Sequence, residues 1–158
     1  MEWAALITWV MTAGVGVYML TTWARAGGAR PAAGSASNFP PPVVFGHFLL
    51  AAAGLVVWII YLATDNDTLT WVAFADLVIV AVIGDLLILR WLRDRRAPTA
   101  SRGTHNAEQE AVPAAATPMG SETALAEQHI PLAVVATHGV FAVATIVLVL
   151  LVALGVGT

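Results

Sequence analysis

Cysteine is absent from the 158 residues, and so is lysine. Without thiols there is no disulfide, no thiolate metal site, no iron–sulfur cluster and no covalently attached c-type haem. Without lysine there is neither a retinal Schiff base nor a lysine nucleophile. Charge of either sign is scarce, with 11% Asp, Glu, Lys and Arg against 59% apolar residues. The mean hydropathy is +0.81. An ordinary soluble domain carries about 25% charged residues, so these proportions point away from one. The N-terminus, Met1-Glu2-Trp3, has no basic leader, so the first apolar run is expected to stay in the mature protein.

What the chain has instead is four long apolar stretches, residues 3–23, 43–63, 71–92 and 132–155. A membrane span needs about 20 mostly apolar residues at 1.5 Å rise each. A β-barrel needs many short alternating segments, which these are not. The expected fold is an all-α integral membrane protein, a four-helix transmembrane bundle forming a single domain. Trp3, Trp23, Trp71 and Trp91 fall at span ends, where an aromatic belt is expected.

Arginine sets the expected orientation. Arg25 and Arg30 follow the first span; Arg90, Arg93, Arg95, Arg96 and Arg102 follow the third. Short loops rich in arginine stay cytoplasmic. The loop at 64–70 carries Asp65 and Asp67 instead, which suits the outside. Both termini are then expected outside the cytoplasm, in a multi-pass protein of the plasma membrane. Residues 97–129 are rich in Ala, Pro, Thr, Glu and Gln, and read as a mobile cytoplasmic loop.

The chain also repeats itself. Displaced by 91 residues, Phe39-Pro40, Val43-Val44, His47 and Ala51 overlay Ile130-Pro131, Val134-Val135, His138 and Ala142. Displaced by 68, Gly16, Trp23 and Arg25 overlay Gly84, Trp91 and Arg93. Two repeated helix hairpins follow, related by an axis along the membrane normal.

His47 and His138 are the informative pair. They lie on parallel helices at depths differing by about 3 Å, on opposite corners of an up-down-up-down bundle. Ala51 and Gly54 share the face of His47, and Ala142 and Thr145 that of His138. Small residues at this spacing let helices approach closely, with histidine bonding across the seam. They also make room for a planar cofactor whose metal both histidines hold. Ionisable groups inside a membrane default to function. Haem b suits two axial histidines, with Arg25 and Arg93 at the cytoplasmic mouth for its propionates and Tyr18 at the same depth. Asp85 reaches that depth too, and is expected to accept a histidine N–H from the second shell of ligands. Its repeat counterpart is Val17, and Asp76 lies on the opposite face near the outer interface, where simple solvation and a functional role are equally open. His105 and His129 fall outside the spans and read as loop residues.

In architecture alone, through the bundle and the histidine pair, the chain is similar to small membrane-bound b-type cytochromes. That resemblance implies an electron-transfer protein rather than a hydrolase or transferase. A second reading is a small transporter or metal- or proton-handling protein using His47, Asp85 and His138, with a divalent metal ion as ligand. A third is a non-catalytic subunit of a larger membrane complex, or of a homodimer, whose histidines only pack. Beyond the lipid bilayer no partner is legible, and nothing suggests nucleic acid.

Overall fold

The computed structural model describes residues 1–30, 37–108 and 125–156, with side chains for all of these except 96–108. Helix α1 spans Glu2–Arg25, α2 Pro41–Thr64, α3 Asp67–Glu108 and α4 Leu132–Ala153, with a short 3-10 turn, Ala126–His129, ahead of α4. Four stretches are long and apolar enough to cross a membrane: Glu2–Arg25, Pro41–Thr64, Asp67–Arg95 and Leu132–Ala153. Each begins or ends within a few residues of its expected bounds. The third helix, however, runs on to Glu108, into the stretch expected to be loop. Of the rest of that expected loop, 109–124 lies outside the described residues, and Ala126–His129 forms the 3-10 turn.

Local chemistry explains the ends. Pro40 and Pro131 precede α2 and α4, each accepting N–H bonds from the third and fourth residues on at 3.0 and 3.3 Å. Proline needs no amide partner in a first turn and already holds a helical φ. α2 stops at Asp65, which adopts a left-handed φ of 51° and donates its N–H to the Tyr61 carbonyl. Asn66 then accepts the Thr68 N–H and opens α3. α4 closes with Gly155 at φ +73°, where the Gly155 and Val156 N–H groups reach back to Val152 and Leu151.

The helices form a bundle in which α1 packs most closely on α4 and α2 on α3. Among the described residues no Cα pair between α2 and α4, or between α1 and α3, comes within 8 Å. These two pairs are the diagonals, as the up-down-up-down order predicts. One core layer, Ala5, Trp9, Trp58, Tyr61, Ala73, Leu77, Val149 and Val152, fills the end next to Asp65. Another, Trp23, Phe39, Trp91, Ala126, Ile130 and Val135, fills the arginine end. The outer surface is apolar: Ile7, Leu49, Val82, Leu89, Val140 and Val143 are each at least 57% exposed. Water does not favour so much exposed aliphatic surface, whereas lipid tails cover it without loss.

Candidate functional site

Between the two core layers lies a layer of small and polar residues. His47 projects from α2 and its Nδ1 lies 3.0 Å from the Val80 carbonyl of α3. His138 projects from α4 and its Nδ1 lies 3.1 Å from the Thr12 carbonyl of α1. A carbonyl can only accept, so Nδ1 carries a proton in both rings, and in a neutral imidazole Nε2 then holds the lone pair. The two rings meet across the diagonal, with centres 6.4 Å apart and planes inclined by 58°.

A glycine seats each ring. The Cβ that Gly84 lacks would stand 3.0 Å from Cε1 of His47, and that of Gly16 would stand 3.2 Å from Cε1 of His138. Each glycine follows its carbonyl partner by four residues, one helical turn: Val80 to Gly84, Thr12 to Gly16. Both contacts join one hairpin to the other, since His47 of the first pair of helices lies on α3 and His138 of the second lies on α1. Around them Trp23 and Trp91, 68 residues apart, are both buried, as are Ala5 and Ala73, and Trp9 and Leu77. The same holds at a displacement of 91 for Trp58 and Val149, Tyr61 and Val152, and Phe39 and Ile130.

The other residues expected at this site stand elsewhere. Asp85 is exposed on the lateral surface and bonds to neither ring; the backbone carbonyls take the role expected of it. A turn of 100° per residue carries Asp85 away from the face that Gly84 presents inward. Tyr18 is 52% exposed and lines an open groove of about 340 Å³ on the outer seam of α1 and α4, with Gly14, Val15, Ala133, Val134 and Thr137. Arg25 and Arg93 are exposed at one end, each nine residues or about 14 Å of helical rise beyond its seating glycine. Arg95 caps the Trp91 ring at 4.6 Å. His129 is exposed, with Nδ1 3.2 Å from the Leu125 carbonyl, and the side chain of His105 lies outside the described residues.

A carboxylate that does turn inward, near the histidine layer, is Asp76. Its Oδ2 is buried without a hydrogen-bond partner and presses on Gly54 of α2 where a Cβ would stand. The Trp9 ring packs against the same glycine. Its height near the outer interface leaves solvation and function equally open in the sequence. The signal available was its register, since it precedes Val80 by four residues and therefore shares the inward face of α3. Nearer the Asp65 end, Tyr61 donates to Glu2 Oε1 at 2.5 Å, tying α2 to α1. At the arginine end Glu127 is fully buried: its Oε1 accepts the Asn38 N–H at 2.8 Å and its carbonyl accepts the Trp91 indole N–H.

Among the described residues no group of three or more His, Asp or Glu side chains converges as a metal site. The pair therefore offers two donors and no third. No family, curated protein or solved structure matches the chain. What the molecule is rests on its architecture, a bundle of four apolar helices with two histidines facing across its diagonal.

Proposed function

We propose that this chain is a multi-pass membrane protein that binds haem b between His47 and His138 and serves electron transfer. The observation that carries the reading is the pair's geometry. His47 and His138 would hold the group between their two rings, as haem b is held by two histidines. The rings stand 6.4 Å apart. Each Nδ1–H is committed to a carbonyl, the arrangement that fixes a ligating histidine and leaves Nε2 for the metal. Two donors suit haem, which brings its own four equatorial nitrogens, and are too few for zinc, which takes three or four protein ligands. The exposure of Asp85 also weighs against a divalent-ion or transport site built from His47, Asp85 and His138.

The same reading places the arginine end in the cytoplasm of a plasma-membrane protein, with both termini outside. The matched seats of the two histidines, and the buried pairs at displacements of 68 and 91, support two repeated hairpins. Arg25 and Arg93 then stand on the side from which propionates would be met.

The test is the absorbance of protein purified in mild detergent from haem-replete cells. A Soret band with sharp visible bands on reduction is expected of six-coordinate low-spin iron. A colourless preparation that retains stoichiometric metal would favour the ion site. A second reading, a non-catalytic subunit whose histidines only pack, is favoured by the satisfied Nδ1 atoms and the glycine seats, since membrane helices use such contacts for association. A preparation with neither haem nor metal would support it.

A further inference from the structure

Asp76 is a half-buried acidic residue whose Oδ2 turns into the bundle and which the histidine pair does not use. It stands one turn along α3 from Val80, whose carbonyl holds His47, so about 6 Å of helical rise separate it from that bond. Its Oδ2 is buried against Gly54 and has no donor, and the Trp9 ring packs against the same glycine. One turn beyond Gly54, the Trp58 ring is 0% exposed and its Nε1 also lacks a partner. The titratable groups on the surrounding helices are His47 and Tyr61 on α2, Glu2 on α1, which Tyr61 already holds, and His138 on α4. No arginine stands on these stretches. A carboxylate so placed has no counter-charge beside it and no donor on Oδ2. A positive charge arising on the neighbouring histidine layer would change that.

We propose that Asp76 is a proton-binding site coupled to the charge of the histidine layer. The proposal rests on the haem reading above, because ferric bis-imidazole haem carries one positive charge that reduction removes. Haem held by His47 and His138 would supply the one-electron chemistry, and on its reduction by a one-electron reductant the Asp76 carboxylate would take one proton from water and form an O–H bond. Reoxidation returns the electron to an acceptor and the proton to water. The Asp65 end supplies the proton, since Asp76 lies on that side of the histidines and Glu2 and Tyr61 form a hydrogen-bonded pair at its mouth.

The experiment is a mediated redox titration of the purified holoprotein at a series of pH values. The midpoint potential of the native chain is expected to fall with rising pH by up to about 59 mV per unit, the one-electron equivalent of a tenfold change. Asp76→Asn should keep the haem spectrum and lose the slope. Asp65→Asn, in the loop, should keep the slope. A native protein without slope, or a slope that survives in Asp76→Asn, overturns the proposal. Should Asp76→Asn fail to fold, Gly54→Ala displaces the carboxyl instead, and an unmoved pH window in that variant overturns it equally. A colourless protein would sink the haem reading, and labelling by a lipid-soluble carbodiimide, which reacts with protonated carboxyls, then decides the remainder. A mass shift mapped to Asp76 supports a protonated site; an unlabelled Asp76 overturns it.

Discussion

Replacing the seating glycines by alanine measures how firmly the histidine rings are held. A methyl carbon on Gly84 would lie 3.0 Å from His47 Cε1, and one on Gly16 would lie 3.2 Å from His138 Cε1. Carbon atoms pack best at about 3.5–4.0 Å, so either ring must retreat by several tenths of an ångström. Each ring is tethered at Nδ1, and its retreat stretches a bond worth about 0.5–1.5 kcal/mol net. Overpacking of this kind costs about 1–3 kcal/mol. Alanine returns about 0.5–1 kcal/mol through its better helix propensity. The net expectation is a loss of about 0.5–2 kcal/mol, with Gly84→Ala the worse of the two. Gly14, Gly46 and Gly139 have no atom within 4 Å of the added carbon, so alanine there returns only the propensity and stabilises. Reversible unfolding in mixed micelles reads both signs in one assay. If Gly16→Ala and Gly84→Ala gain stability as Gly46→Ala does, the rings are not seated on these glycines and the geometry of the pair falls with them.

Three further outcomes are expected. His47→Ala or His138→Ala should leave five-coordinate or missing haem by visible spectroscopy, whereas His129→Ala should leave the spectrum as it was; an unchanged spectrum in either of the first two removes that ligand. Reporter fusions after Arg30 and Ala100 should read cytoplasmic and those at Asp67 and Thr158 external, and a cytoplasmic reading at Thr158 reverses the orientation. Glu127→Ala should cost about 1–3 kcal/mol by leaving the Asn38 N–H without its acceptor, while Glu127→Gln keeps that acceptor and costs less. Equal stability of the two variants in thermal melts would show that the bond contributes nothing.

Much of the fold was legible because bilayer thickness fixes helix length and proline marks where α2 and α4 begin. The histidine pair was legible for a related reason, since equal spacing from Pro40 and Pro131 predicts equal depth. What fills the space around the pair was not. Depth along a helix follows from counting, but facing depends on rotation, and one step of 100° separates Gly84, which points inward, from Asp85, which does not. The partners of Nδ1 are backbone carbonyls, and a backbone atom leaves no mark in residue identity. The height of Asp76 suggests the interface and leaves its role open, whereas its register with Val80 turns it toward Gly54. Glu127 was read as part of a polar loop, and only the packing of the 3-10 turn under Trp91 encloses it.

The crossed seating of the histidines bears on how the protein is made. During synthesis the first two helices emerge well before the last two, yet His47 has no seat until α3 is in place, and Thr12 and Gly16 have no ring to hold until α4 arrives. A chain interrupted between the hairpins thus leaves two incomplete halves, each with one histidine and the other half's glycine. On the haem reading, neither half alone holds both histidines in their seats. Two separately expressed hairpins, inserted in one membrane, should regain colour together while neither does so alone.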